Sequence, residues 1–209
     1  FAAGTFTVAG TDRAIGIMEL ARSLRERTEL PGGLPDGVPT TLDTKATHTG
    51  TPSSFPNGCH ICEVEVDPET GEVGILRYTV VDDFGIMINP PVVMGQVQGG
   101  IVQGMGQILL ENTIYDADGQ LLTGSYMDYA MPRADDMCNI DFSTHNVPCP
   151  TNPLGIKGCG EAGNGGAMPA VMNAVIHALE ERGVTHLQAP ASPHRVWQAL
   201  RDAAQGGRV

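Results

Sequence analysis

The chain has 209 residues, enough for one large domain or part of a longer polypeptide. Its composition is globular, 41% hydrophobic and 17% charged, and no apolar run is long enough to span a bilayer. The formal net charge of −12, from 24 acids against 12 Lys and Arg, argues against a nucleic-acid partner, which needs a basic surface.

The chain opens at Phe1 without a secretory pattern and runs directly into FAAGTFTVAG, a strand-like stretch. That opening reads as a piece of a longer polypeptide. Thr11 or Asp12 can cap a helix through about Arg27, with Ile17, Leu20, Ala21 and Leu24 on one face. PGGLPDGVP (31–39) reads as a loop, and 40–58, rich in Thr, Ser, Pro and Gly, as irregular chain.

From His60 the pattern turns to β. ICEVEVD and EVGILRYTVVDD flank the turn DPETG, a hairpin signal, and a second hairpin is predicted from LLENTIYD and QLLTGSYMDY around ADG. Between them a helix is expected from 91 to 110. Asn89 caps it, Pro90 and Pro91 suit its start, and Val93, Val97, Ile101 and Met105 recur every four residues. The Pro-rich region 131–154 reads as connective. Pro169 is expected to begin the last long helix, ended by Gly183, with a short helix around HRVWQAL after it. Hairpins mixed with helices predict an α+β fold, a mixed sheet packed against helices.

The five cysteines suggest no disulfide framework. Cys59 and Cys62 form one C-x-x-C on a predicted strand, where residues three apart face opposite sides and cannot chelate together. Reduced thiols in a cytoplasmic protein are the expectation. The six histidines are dispersed without an H-x-x-x-H pair, so no protein-ligated metal is expected. Met87, Met94, Met105 and Met172 read as core fillers, and Asp128 and Arg133 as a pair. Asp82, Asp83 and Asn89 are read as residues that orient loops or cap the helix after them.

Two glycine clusters stand out. The 91–110 helix carries Gly95, Gly99, Gly100, Gly104 and Gly106, each costing roughly 1 kcal/mol relative to alanine inside a helix. Gln96, Gln103 and Gln107 share a face with Gly100, and amides both donate and accept hydrogen bonds. Either tight packing or close approach of a heteroatom-rich ligand accounts for the cluster. The second cluster is GIKGCGEAGNGG, with six glycines between 155 and 166 around one acid, Glu161. Glu161 has two readings: a loop carboxylate paired with Lys157 or bonded to backbone, or a general base tuned by burial. Gly158, Gly160 and Gly163 literally fit G-x-G-x-x-G, but PCPTNPLGIK before them is a poor strand. An NAD-dependent dehydrogenase is therefore the weaker alternative. The glycines still suit a loop presenting N–H groups to a polar cofactor.

Three ordered blocks carry a resemblance. VDDFGIMINPPVVMGQVQGGIVQGMGQ, SYMDYAMPRADD and GIKGCGEAGNGGAMPAVMNAVIHAL resemble the C-terminal blocks of the molybdenum-binding large subunit in one family. That family comprises xanthine dehydrogenase, aldehyde oxidase and carbon monoxide dehydrogenase. The match covers most of 60–180 and is weaker over 1–59. It implies two domains: a partial N-terminal segment, 1–59, linking to an upstream half, and a C-terminal molybdopterin-binding domain, 60–209. It implies a hydroxylase acting on an aldehyde, N-heterocycle or similar small substrate with water as oxygen source.

By resemblance, Glu161 is the catalytic base, taking the proton of a molybdenum-bound hydroxyl. Gln98, Gly99, Gly100, Gln103, Gly104, Gly158, Cys159 and Gly160 contact the cofactor, and no side chain ligates the metal. The cofactor is molybdopterin with molybdenum, with the cytosine dinucleotide form left open. FAD and 2Fe–2S clusters sit on partner subunits or domains. The implied partners are the upstream half of the subunit, FAD-binding and iron–sulfur subunits and a small-molecule substrate, in a homo-oligomer, with no nucleic acid or membrane. The fragment alone is expected to be apo and inactive. A non-catalytic cofactor-holding or assembly module of the same fold is the alternative.

Overall fold

The computed structural model describes residues 1–26, 41–50 and 53–206. The expected loop at 31–39 and the helix end at Arg27 lie outside them. The chain divides into two units, Phe1–Thr49 and Gly50–Val209. The boundary expected at 59/60 falls inside a strand that begins at Asn57, so the division lies ahead of it.

In the first unit, β1 (Thr5–Thr7) pairs antiparallel with β2 (Ala14–Gly16), and α1 (Ile17–Glu26) follows. The strand expected near the start is present, but the helix begins later than the Thr11 or Asp12 cap implied. Thr11 serves the β1–β2 turn instead, its hydroxyl donating to the Val8 carbonyl. Leu20, Ala21 and Leu24 are half-buried along one face of α1.

The second unit is built on a hairpin. β3 (Asn57–Val66) and β4 (Val73–Asp83) pair antiparallel, with a register shift at Glu63/Val64. Their turn is fixed by Asp67, whose carboxylate accepts from the Glu69 amide and the Thr70 hydroxyl, each at 2.8 Å. Gly71 supplies the positive φ that closes the turn. Alternation along β3 and β4 sends His60, Cys62, Tyr78, Val80 and Asp82 inward.

α2 (Pro90–Leu109) starts as the sequence predicts, with the Asn89 side chain accepting from the Val92 amide. Val93, Val97, Ile101 and Met105 are all buried. α2 forms the crossover from β4 to β5 (Ile140–Thr144), which pairs parallel to β4. The sheet, ordered β3-β4-β5, is therefore mixed, as expected. β5 corrects the reading of 131–154 as wholly connective. Its inward residues, Ile140 and Phe142, pack against the core.

The second predicted hairpin reduces to one bridge, Tyr115 to Leu121, and α2 runs through Leu109, where its first strand was expected to start. Asp128 accepts from the Ser125 hydroxyl and the Arg133 backbone amide donates to Asp136, and no Asp128–Arg133 ion pair is present among the described residues. Met105 is buried, and Met87 and Met172 pack partly on the core, but Met94 is exposed.

α3 (Ala162–Glu180) starts seven residues before Pro169, which lies inside it. Gly163 and Gly166 therefore open the helix rather than a loop. Ala167, Val171, Val175 and Leu179 bury one stripe of α3 against α2 and the sheet. α4 (Pro193–Ala204) closes the core with Val196 and Ala199. Among the described residues no helix is long and apolar enough to cross a membrane.

Candidate cofactor and catalytic site

The two glycine clusters meet. A Cβ on Gly163 of α3 would overlap the Val97 carbonyl of α2, and one on Gly100 would come within 2.8 Å of the Asn164 amide. One on Gly104 would come within 2.9 Å of the Ala167 Cβ. These glycines let two helix backbones approach each other, which offsets their helix cost. The expectation that Gly100 and Gly104 leave room for a ligand is thereby corrected, since α3 takes that room.

Gly95, Gly99, Gly158, Gly160 and Gly165 differ. A Cβ on any of them would meet nothing within 4 Å, and none has positive φ. Among the described residues, neither packing nor backbone geometry explains them. They leave bare backbone facing outward, which suits a bulky polar ligand. Gln103 is exposed on α2, Gln98 is half-buried on the same helix, and Cys159 is half-buried between Gly158 and Gly160.

Glu161 stands at the N-cap position of α3, its carbonyl accepting the first helical bond from Gly165 at 2.9 Å. Its side chain makes no capping bond and is exposed, not buried as the general-base reading expected. Lys157, its proposed ion partner, is taken by Asp83. Among the described residues the Glu161 carboxylate has no partner. It lines a cleft of about 350 Å³ with Phe55, Pro56, His60, Asp82 and Gly165.

The approach to Glu161 is held by Asp83 at the end of β4. One Asp83 oxygen accepts from the Gly85 and Val147 amides, each at 2.9 Å. The other accepts from Lys157 Nζ and, at 3.4 Å, from Asn57 Nδ2. The Lys157 amide also donates to the Phe84 carbonyl at 3.0 Å. The Lys157 ammonium, with the two amides, lowers the Asp83 carboxyl to about 2. Asp83 thus orients loops, as the sequence suggested.

Sequence reasoning missed the buried group beneath the cleft. His60 Nδ1 lies 2.8 Å from Tyr78 Oη, and His60 Nε2 lies 3.3 Å from Asp82 Oδ1. Burial, with Cys62 and Asp82 nearby, raises the Tyr78 phenol and keeps it protonated. The available signal was period two: His60 pairs with Val80, placing Tyr78 and Asp82 diagonally beside it.

No strand among the described residues leads into Gly158–Gly163, so the dinucleotide reading lacks its structural context. Among the described residues no cluster of three or more His, Cys, Asp or Glu could hold a metal ion.

Comparison with known proteins agrees with this geometry. The family model described as molybdopterin cofactor-binding domain matches residues 1–138. The gamma subunit of the 6-hydroxypseudooxynicotine dehydrogenase complex of Paenarthrobacter nicotinovorans is 36% identical over 201 residues, covering 93% of this chain and 24% of that protein. The carbon monoxide dehydrogenase large chain of Hydrogenophaga pseudoflava is 34% identical, covering 82% of this chain and 21% of that one. Quinoline 2-oxidoreductase from Pseudomonas putida 86 superposes with a TM-score of 0.77 at 38% identity, over 81% of this chain and 22% of that structure. The chain thus spans roughly a quarter or less of the relatives it matches. With a family model covering more than half of it and an α+β fold shared with these molybdenum enzymes, the chain belongs to the molybdenum hydroxylase family and carries its molybdopterin cofactor-binding domain.

Proposed function

We propose that this chain is the C-terminal catalytic part of a molybdenum hydroxylase large subunit, with Glu161 as general base. The reaction is oxidation of an aldehyde, N-heterocycle or similar small substrate with water as oxygen source. The observation that supports this most is the Glu161 carboxylate itself, exposed, free of capping and ion pairing, and set over a cleft at the start of α3.

When bound, the molybdopterin cofactor supplies the two-electron redox chemistry. The chain's residues do the rest. Gly99, Gly158 and Gly160 admit the cofactor to the backbone, and Gln98 and Gln103 offer amide donors and acceptors to it. Cys159 is proposed as a further backbone contact. The Asp83–Lys157 pair fixes the segment that leads to Glu161. The Glu161 carboxylate then takes the proton of the oxygen nucleophile. An upstream half of the subunit, and FAD-binding and iron–sulfur subunits that carry electrons away, complete the proposed complex.

The test is Glu161→Gln in the full-length enzyme. Molybdenum content should be unchanged while kcat falls by roughly 10²–10⁴, the usual contribution of a general base. Near-normal turnover would refute the base. A wild-type complex with full cofactor and no activity on any aldehyde or N-heterocycle would point instead to an assembly module.

A further inference from the structure

The helix that follows Glu161 begins on weak ground. Gly163, Gly165 and Gly166 stand in the first five residues of α3, each costing about 1 kcal/mol relative to alanine, and no side chain caps the start. What holds this turn comes from other elements. The Val97 carbonyl of α2 fills the place of a Gly163 Cβ. The His60 ring of β3 fills that of a Gly166 Cβ, with three ring atoms 2.5, 2.5 and 2.6 Å away. Between them the Gly165 amide donates to the Glu161 carbonyl at 2.9 Å.

His60 is itself fixed. Its Nε2 faces Asp82 Oδ1 at 3.3 Å, and its Nδ1 lies 2.8 Å from Tyr78 Oη. A carboxylate only accepts, so the ring proton sits on Nε2 and Nδ1 accepts from the Tyr78 hydroxyl. Both partners come from β4 and are buried. Gly58 clears the space, since a Cβ there would overlap Asp82 Oδ1. With its orientation set at both nitrogens, the ring turns away from Gly166 only by losing both partners. The cleft beside Glu161 has one wall from residues 55–58 and another from 161, 162, 165 and 166. His60 belongs to the strand of the first wall and presses on the second. Only 6% of its side chain is exposed, so it supports the wall rather than meeting a bound molecule.

We propose that His60, locked by Tyr78 and Asp82, is a positioning residue that sets where the Glu161 carboxylate stands across the cleft. It touches no reacting atom. It acts by pressing the first turn of α3 into one place, so that the proton acceptor is already oriented when substrate arrives. The inference rests on reading Glu161 as the base, and its first test needs no turnover.

That test is His60→Ala in the full-length subunit with its cofactor. Hydrogen exchange at the Gly165 amide, which bonds the Glu161 carbonyl, should quicken at least tenfold, while the Val171 and Val175 amides further along α3 stay within twofold. Tyr78→Phe removes only the hydroxyl and should quicken Gly165 at least threefold, which covers the case where His60→Ala misfolds. Rates with benzaldehyde and with purine, per bound molybdenum, give the second reading. His60→Ala should lower kcat at least tenfold with KM within twofold, and should cost no more than twofold when added to Glu161→Gln. Loss of folded enzyme alone would lower both backgrounds alike. Unchanged Gly165 exchange in Tyr78→Phe or in folded His60→Ala would overturn the proposal. So would equal kcat losses in the two backgrounds where Glu161→Gln is itself impaired. If the wild type oxidises neither compound, the exchange result decides alone. Quickened exchange alongside full turnover in Glu161→Gln would keep the His60 clamp and reject only the base.

Discussion

Replacing Asp83 with asparagine should loosen the whole approach to Glu161. The oxygen of the introduced amide can still accept from the Gly85 and Val147 amides, but its NH₂ would then face the Lys157 ammonium and the Asn57 amide, donor against donor. Lys157 is only 13% exposed and Asp83 12%, so water screens the lost pair weakly. Holding the Asp83 carboxyl at about 2 rather than 3.8 is worth on the order of 2 kcal/mol at about 1.4 kcal/mol per unit. Removing one partner of a buried pair costs about 3–5 kcal/mol. A local loss of about 3 kcal/mol follows, roughly a hundredfold in the opening equilibrium. Hydrogen exchange at the Val147 and Lys157 amides of the full-length subunit should read it directly. The sign with pH is fixed. Because the folded value lies below the unfolded one, the stabilisation is full above about 3.8 and is lost as pH falls through 2. The wild type should lose protection across that window, and Asp83→Asn should show no such slope. Unchanged exchange at these amides at neutral pH would refute the role given to Asp83. Lys157→Met with Asp83→Asn should cost less than the sum of the two single changes, since both charges leave together.

The other predictions probe packing and the cofactor face. Gly163→Ala should destabilise by about 1–3 kcal/mol, because its Cβ meets the Val97 carbonyl, whereas Gly165→Ala enters open space and should be neutral or stabilising by up to about 1 kcal/mol. Thermal unfolding of the two variants separates them, and equal melting shifts would reject the helix–helix contact. Burial, with Cys138 and Glu63 nearby, pushes the Cys62 thiol up to about 12, so at pH 8 only about one molecule in ten thousand carries the reactive thiolate. Iodoacetamide should therefore label exposed Cys59 and spare Cys62, and comparable labelling of both would contradict the strand geometry. Gln103→Ala in the full-length enzyme should lower bound molybdenum without lowering the melting temperature of the apo form, because the side chain is exposed. Full metal retention would remove Gln103 from the cofactor contacts.

What the sequence made legible was whatever short-range spacing controls. The four-residue recurrence of Val93, Val97, Ile101 and Met105 located α2, and the Asp67–Gly71 turn located the central hairpin, because each is decided within a few residues. What it hid was decided by distant partners. β5 has only five residues and is a strand because β4 offers it an edge. α3 starts at Ala162 despite three glycines in its first five residues, because Gly163 packs on α2 and Gly166 on His60. Local propensity alone argues for the later start at Pro169, where the glycines end.

The same division runs through the site. Glycine in a helix was visible as an anomaly, but two explanations competed, and the sequence could not distribute them among the glycines. The structure does so residue by residue: Gly100, Gly104 and Gly163 serve the helix pair, while a Cβ at Gly99, Gly158 or Gly160 would meet none of the described residues. The first group sets where α3 begins and hence where Glu161 stands. The second marks where backbone is left open beside it. Close packing and open surface thus follow from one residue type, because a missing side chain acts only through what lies where its Cβ would be. That is a tertiary fact, which is why the carboxylate could be singled out from sequence while its freedom from Lys157, and the Asp82 group beneath it, could not.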